Sequence, residues 1–185
     1  MAFLTDIDES LVEEAAGQSL KLCHIGRSAL VWKYDYAATT EDIDVIRPES
    51  GQRLLDLALV RFGRGTPKAK EYNLYLEEVN SAFPPMPSGY MKRAVRVEGL
   101  WWVIELYHLD PHDLAASKLR RFATKDREDI RHLCDLNELD PDRLKEILEK
   151  AFPFNLEKDG DEYRDTTFEH LRIVQAYLRG ERYEF

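Results

Sequence analysis

Apolar residues recur at helical spacing in some segments of the chain and alternate with polar residues in others. Helical spacing predicts helices over residues 8–19, 28–36 and 52–62. Short apolar or alternating runs predict strands over residues 21–25, 43–46 and 72–79. Helices and strands therefore alternate in this part of the chain, which is typical of a sheet flanked by helices.

The pattern changes in the second half of the chain. Two runs at 94–97 and 100–109, joined by Glu98-Gly99, predict a β-hairpin. Beyond Pro111 the spacing is helical, and helices are predicted over 112–122, 126–137, 141–152 and 166–179. We therefore predict an α/β (α+β) chain with a core domain at 1–109 and a helical extension at 110–185 that packs on the core.

Composition is that of a globular protein, because 44% of the 185 residues are hydrophobic and 33% are charged. The first ten residues carry acids where a signal peptide needs lysines, and no apolar run approaches the length of a membrane span. Cys23 and Cys134 lie in apolar stretches without metal-ligand spacing. We expect a cytoplasmic protein with free thiols that does not bind a membrane.

A net charge of −9 argues against broad coating by nucleic acid. One stretch, residues 52–70, has the opposite balance, since its single acid is Asp56 and its basic residues are Arg53, Arg61, Arg64, Lys68 and Lys70. The glycines and proline within 61–70 predict a mobile, basic loop near the mouth of the site described next, where it would meet a polyanion. The alternative is a solvated surface loop without a ligand.

The strongest local signal is a pair of carboxylates at the start of a predicted strand. Asp42 and Asp44 are two residues apart, so they share one face while Ile43 enters the core. Two close carboxylates repel unless a divalent cation lies between them, and Mg²⁺ prefers oxygen ligands together with phosphate oxygens. The turn Gly26-Arg27-Ser28 follows a predicted strand and opens a helix, so its N–H groups could meet a phosphate. The alternative is that Asp42 only caps the entrance of the strand.

Two blocks of the sequence resemble a known family. The run His24-Ile-Gly-Arg-Ser-Ala-Leu followed by Thr40-Glu-Asp-Ile-Asp-Val is similar to the G-G-x-A-L and T-x-D-I-D signature of bacterial nucleotidyltransferase-fold proteins. These are relatives of the AbiEii-type toxins in the DNA polymerase β superfamily. The downstream run Leu109-Asp-Pro-His-Asp-Leu-Ala-Ala-Ser-Lys-Leu resembles a poorly characterised branch of the same superfamily. The resemblance implies a nucleotidyltransferase-like mixed sheet flanked by helices, with a C-terminal helical region.

The resemblance also implies roles for particular residues. Asp42 and Asp44 would hold Mg²⁺, and the turn of Gly26, Arg27 and Ser28 would bind the nucleotide. In the resembling toxins the lysine of the Asp-Leu-x-x-x-Lys-Leu block faces the nucleotide, which assigns Lys118 to phosphate. Helical spacing places Arg121 on the same stripe as Lys118. The alternative for this stripe is a ladder of ion pairs such as Lys125 with Asp129.

Two points of the predicted site stay open. The fold usually adds a third carboxylate from a neighbouring strand, for which Glu77 is the first choice and Glu105 the second. Arg27 departs from the signature, which has glycine or serine at this position, and could either contact phosphate or fill the pocket.

The leading hypothesis is a Mg²⁺-dependent nucleotidyltransferase that transfers a nucleoside monophosphate from an NTP to a protein or RNA acceptor. Such an enzyme could be the toxin-like component of a toxin–antitoxin system, with an antitoxin protein as its partner. The alternative is an inactive module that keeps the fold for nucleotide binding or for docking a partner.

Overall fold

The computed structural model describes residues 2–79, 86–99, 101–151 and 160–185, and only the backbone of 160–162. Contacts between Cα atoms divide the chain into two compact units. The first unit comprises residues 1–80 and 94–109, and the second comprises residues 81–93 and 110–185. None of the helices in the described ranges is both long enough and apolar enough to cross a membrane.

The first unit contains a mixed sheet. Its strands are β1 (Leu20–Ile25), β2 (Asp42–Ile46), β3 (Tyr75–Val79), β4 (Val95–Arg96) and β5 (Ile104–His108). They lie in the order β3-β2-β1-β5-β4. β1 pairs antiparallel with β2 and parallel with β5, while β2 pairs parallel with β3, and β4 pairs antiparallel with β5. The helices of this unit are α1 (Ala2–Ala15), α2 (Gly26–Lys33), α3 (Gln52–Phe62) and α4 (Pro67–Tyr72).

The core of this unit lies on one face of the sheet. Leu22, Ile43 and Leu106 point to this face from three strands, and they share a hydrophobic cluster with Leu4 of α1 and Leu55 of α3. All five side chains are fully buried. Burying one such side chain contributes roughly 1.5–3 kcal/mol. The alternation of apolar and polar residues therefore fixes which side chains of each strand turn away from the core.

A buried carboxylate joins α1 to the sheet. Asp8 is 1% exposed and accepts hydrogen bonds from the backbone N–H groups of Trp102, Val103 and Ile104 at 2.8, 2.8 and 2.7 Å. Because these donors are engaged by Asp8, the segment before Ile104 does not pair with β4. The strand expected over 100–109 consequently begins later, and the hairpin connection is longer than Glu98-Gly99.

The second unit is helical in its described residues. Its helices are α5 (Tyr90–Arg93), α6 (Pro111–Leu119), α7 (Thr124–Asp135), α8 (Pro141–Ala151) and α9 (Gly160–Leu178). His112 links the starts of two of them, since its Nδ1 lies 2.9 Å from Asp110 Oδ1 and its Nε2 accepts from the backbone N–H of Asp140 at 2.8 Å. Arg93 donates to both oxygens of the buried Asp113 at 2.8 Å. Charged side chains thus tie the helix termini of this unit together.

The predicted fold class is confirmed: the structure has a mixed sheet, flanking helices and a helical C-terminal region. The bounds of α3 agree with the prediction at both ends. α1 starts six residues earlier than predicted and ends at Ala15, where Ala16 and Gly17 take positive φ angles of 48° and 82°. The turn predicted from Pro84, Pro85 and Pro87 lies partly outside the described residues.

The prediction that residues 61–70 form a loop is wrong for most of the segment. Most of the segment is helical, because Thr66 caps α4 by accepting from the backbone N–H of Ala69 at 3.1 Å and Pro67 occupies the first turn. A capping threonine followed by proline is a helix-start signal. Two of the basic residues also have acidic partners on α1: Arg61 binds Glu14, and Lys68 lies 2.7 Å from Asp6. The positive charges of Arg61 and Lys68 are therefore paired with acids of the same unit.

We expect Asp8→Ala to destabilise the protein by about 3 kcal/mol, because it leaves three backbone N–H groups without their charged acceptor. Glu9→Ala, which removes an exposed acid from the same helix, should change the free energy of unfolding by less than about 0.5 kcal/mol. Urea denaturation of the two variants and the wild type measures both values. Equal stability of the two variants would contradict the role given to Asp8.

Candidate metal centre

Three carboxylates converge on one face of two neighbouring strands. β2 and β3 run parallel, with Asp42 opposite Tyr75 and Asp44 opposite Glu77. Ile43 between the two aspartates is fully buried in the core, so both aspartates lie on the other face of the sheet. One carboxylate oxygen from each of Asp42, Asp44 and Glu77 lies within 4.8 Å of the other two. We call these three residues the carboxylate triad.

Glu105, the second choice for a third acid, lies elsewhere on the sheet. It is on β5 opposite Lys21 of β1. Its carboxylate accepts a hydrogen bond from the hydroxyl of Tyr107 at 3.1 Å. Hydrogen bonding by Ser19 is the largest cause that lowers the pKa of Glu105. The side chain is therefore engaged within β5 and its neighbours, and the register of β2 with β3 brings Glu77 to the aspartates instead.

The backbone of Gly26 comes into direct contact with the triad. Gly26 follows β1, whose last residue Ile25 lies opposite Asp44, and it opens α2. Its φ is +75°, and a Cβ atom built on it would lie 2.2 Å from Asp44 Oδ2. A residue with a side chain would therefore displace the carboxylate. The conformation and the space both require glycine here.

The other residues of the predicted nucleotide-binding turn lie differently. Ser28 is fully buried, and its Oγ lies 2.7 Å from Nε2 of the fully buried His24. The Ser28 hydroxyl is thus directed into the interior of the unit. Arg27 is half-buried, and its guanidinium carbon lies 5.7 Å from the ring centre of Tyr36. Within this turn, the backbone of Gly26 lies against the triad residue Asp44.

The two predicted basic residues of the helical region have acidic partners in their own unit. Lys118 is buried, with Nζ 2.7 Å from Oδ2 of the buried Asp129. Arg121 is exposed and donates to both oxygens of Asp126 at 2.7 Å. Asp126 also accepts from the backbone N–H of Ala123 and so caps α7. The pairing of Lys118 with Asp129 crosses from α6 to α7 and was not indicated by helical spacing.

Two further residues contact the triad and a third, Tyr75, feels its charge, although the sequence did not single out any of them for this role. Thr40 donates from Oγ1 to Asp42 Oδ1 at 2.7 Å, which orients that carboxylate. Arg64 Nη2 lies 3.2 Å from Glu77 Oε2. Burial and then the negative charges of Asp42, Glu77 and Asp44 raise the pKa of Tyr75. Two of these residues could have been found from the sequence, since Thr40 lies within the Thr40-Glu-Asp-Ile-Asp run and Arg64 within the basic stretch 52–70.

The donor set of the triad fits a hard divalent cation. Three carboxylates supply only oxygen ligands, which suit Mg²⁺, Mn²⁺ or Ca²⁺ and not a metal that prefers sulfur or imidazole. Because Gly26 has no side chain, its backbone can lie close to Asp44 without occupying the space of the Asp44 carboxylate. Among the described residues, this is the group of at least three His, Cys, Asp or Glu side chains with ligand atoms close enough to hold a metal.

The mixed sheet, the glycine turn that opens a helix and the acids on two adjacent parallel strands are compatible with a nucleotidyltransferase-like fold. The family model for "Nucleotidyltransferase of unknown function (DUF6036)" matches residues 2–178. The chain therefore belongs to this nucleotidyltransferase family. Comparison with curated proteins and with solved structures gave no match.

We expect Gly26→Ala to weaken Mn²⁺ binding about 10-fold or more, because the added Cβ displaces the Asp44 carboxylate. Gly65→Ala is the matched control: Gly65 has a similar φ of +83° but no atom within 4 Å of the built Cβ. Both variants should lose about 1 kcal/mol of stability to backbone strain. Titration with Mn²⁺, followed by electron paramagnetic resonance of the free ion, separates them. Equal Mn²⁺ affinity in both variants would contradict the close contact.

A second prediction concerns two buried histidines on adjacent strands. The ring centres of His24 and His108 are 5.2 Å apart. Burial holds the pKa of His24 well below its usual 6.5, and it lowers the pKa of His108 to about 4, with the charge of Lys33 adding to the effect. The unfolded chain takes up these protons below pH 6.5, whereas the folded chain leaves His108 neutral until about pH 4. Stability should therefore fall on acidification across this window.

His108→Phe keeps a buried ring and removes one titrating group. We expect it to reduce the acid-induced loss of stability by up to about 3 kcal/mol. Urea denaturation of the wild type and the variant at several pH values between 7 and 4 measures the difference. Parallel curves for the two proteins would show that His108 does not contribute.

Proposed function

We propose that this protein is a metal-dependent nucleotidyltransferase of the cytoplasm that transfers a nucleoside monophosphate from an NTP to a protein or RNA acceptor. In that reaction a bond forms between an acceptor hydroxyl oxygen and the α-phosphorus, the bond from the α-phosphorus to the α,β-bridging oxygen breaks, pyrophosphate leaves, and the proton of the hydroxyl passes to solvent. The observation that carries the proposal is the convergence of Asp42, Asp44 and Glu77 beside the Gly26 turn, in a chain of a nucleotidyltransferase family.

The triad is proposed as the site of Mg²⁺. Asp42 and Asp44 would bind the ion, and Glu77 would complete the set of carboxylates from the neighbouring strand. Bound Mg²⁺ offsets the negative charge of the phosphates during transfer. The chain prepares this role in two ways: Thr40 orients Asp42 by a hydrogen bond, and Gly26 leaves room for Asp44.

The turn of Gly26, Arg27 and Ser28 is proposed to bind the nucleotide. Gly26 and Arg27 begin α2, and the dipole at the N-terminus of a helix favours a phosphate. Ser28 would act by shaping the turn, since its hydroxyl is bonded to His24. Lys118 and Arg121 are proposed as further phosphate contacts on the strength of the Asp-Leu-x-x-x-Lys-Leu block and its spacing.

The resemblance to AbiEii-type toxins extends the proposal to the biological role. The enzyme would be the toxin-like component of a toxin–antitoxin system, and an antitoxin protein would oppose it. A role as an inactive binding module has no observation in its favour, and NTP binding without transfer to any acceptor would be its signature.

The decisive variant is Asp44→Asn, with Glu41→Gln as its control. Glu41 is an exposed acid three residues before Asp44, and its side chain is not part of the triad. Without metal, Asp44→Asn should keep the fold and change stability by at most about 1 kcal/mol, upward if repulsion within the triad dominates. We expect it to weaken Mg²⁺-dependent ATP binding about 10-fold or more, because an amide oxygen is a weaker ligand than a carboxylate.

Calorimetric titration of ATP with and without Mg²⁺ measures the binding of each protein. Transfer is followed with radiolabelled NTPs and mixtures of protein and RNA acceptors, and growth on induced expression tests the toxic role. Glu41→Gln should behave as the wild type in all three assays. If Asp44→Asn binds Mg²⁺-ATP as tightly as the wild type, the triad is not the metal site and the proposed function is wrong.

A further inference from the structure

The basic side chain of Arg64 reaches the carboxylate triad. Arg64 lies in the turn between α3 and α4, directly after Gly63. Gly63 forms an isolated bridge with Leu76, the residue between Tyr75 and Glu77. A Cβ on Gly63 would lie 2.3 Å from the backbone oxygen of Leu59, so the close turn requires glycine. Because Gly63 is paired with Leu76, the backbone holds Arg64 beside β3.

The Arg64 side chain lies along the edge of the triad. Its guanidinium carbon is 4.3 Å from the ring centre of Tyr75, and its Nη2 is 3.2 Å from Glu77 Oε2. Stacking on the ring leaves the remaining donors of the guanidinium available. The side chain of Arg64 is 68% exposed and that of Glu77 is 40% exposed. An ion pair this exposed is weak, about 0–1 kcal/mol, and is easily exchanged for another partner.

Three other basic residues of this stretch contact α1. Arg61 binds Glu14, Lys68 binds Asp6, and Arg53 donates to the backbone oxygen of Glu14. Arg64 thus differs from them in having its ion pair with a member of the triad. Three carboxylates at one point repel each other, and the guanidinium of Arg64 places a positive charge against one of them, Glu77.

We propose that Arg64 is a built-in counter-cation of the triad, which releases Glu77 when a metal ion binds and then contacts the phosphates of the NTP. This inference rests on the proposed function and adds a specificity residue to the same site. The two parts have opposite consequences. Arg64 competes with the metal for Glu77, and so weakens metal binding, but it attracts the polyphosphate, and so strengthens nucleotide binding.

Arg64→Gln tests both parts with defined probes. Removing one positive charge a few ångströms from the ion should tighten the binding of Mn²⁺ alone about five-fold at low ionic strength. With Mn²⁺ saturating, the same variant should bind ATP about five-fold more weakly, since it lacks the charged, bidentate donor. The gain in Mn²⁺ affinity should shrink in high salt, because exposed charges are screened. A purely structural role of Arg64 would not produce opposite signs.

Two further variants serve as controls. Arg64→Lys keeps the charge and should bind Mn²⁺ as the wild type does, while losing part of the ATP affinity. Lys70→Gln removes an exposed positive charge from the same stretch and should leave both affinities unchanged. Electron paramagnetic resonance measures Mn²⁺ binding, and calorimetry measures ATP binding.

The outcomes separate this inference from the proposed function. Mn²⁺ binding that requires Asp44 but is unchanged or weaker in Arg64→Gln overturns the inference alone, as does unchanged ATP affinity. Mn²⁺ binding that does not require Asp44, or no Mn²⁺ binding by the wild type, overturns the proposed function and this inference with it. Tighter Mn²⁺ binding together with weaker ATP binding in Arg64→Gln supports the assignment.

Discussion

The candidate site of this protein depends on holding three like charges together against their repulsion. One carboxylate oxygen from each of Asp42, Asp44 and Glu77 lies within 4.8 Å of the other two. Negatively charged carboxylates at this distance repel each other. The parallel pairing of β2 with β3 enforces the arrangement by setting Asp44 opposite Glu77. Burial of Ile43 on the opposite face prevents β2 from turning its aspartates away. The stability of the core is what keeps the acids in place.

Glycines at two turns allow the rest of the site to approach the acids. Gly26 lets the start of α2 touch Asp44, and Gly63 lets the turn after α3 approach β3 and carry Arg64 to Glu77. In each case the feature that matters is the missing side chain, because a Cβ would occupy space already taken by a neighbour. The proposed metal site and the proposed phosphate contacts of Gly26 and Arg64 can therefore share one small region of the first unit.

Basic residues of the first unit have two kinds of acidic partner. The chain is acidic overall, and its basic stretch at 52–70 suggested a surface for a polyanion. In the folded unit Arg61 and Lys68 pair with acids of α1. These pairs hold α3 and α4 against α1 and leave Arg64 as the member of the stretch at the triad. Residues of one basic stretch of the sequence therefore form both structural ion pairs with α1 and an ion pair with the candidate site.

The sequence by itself determined the features that depend on neighbours in the chain. Alternation placed Ile43 in the core and both aspartates on one face, and the glycine before a helical run predicted the turn at Gly26. Helical spacing predicted α3, and it predicted α6, α7 and α8 to within three residues at each end, but α9 begins six residues earlier than predicted and α5 was not predicted. The same local logic missed α4, although Thr66-Pro67 is a helix-start signal, because the glycines and basic residues were interpreted as a loop.

The tertiary structure decided every feature that joins distant segments. The choice between Glu77 and Glu105 followed from strand order and register, which place Glu77 beside Asp44 and Glu105 beside Lys21. The late start of β5 followed from Asp8, which lies more than ninety residues earlier and takes the N–H groups that a longer strand would use. Side-chain period is a local property of the backbone, whereas register and charge pairing depend on which segments the core brings together.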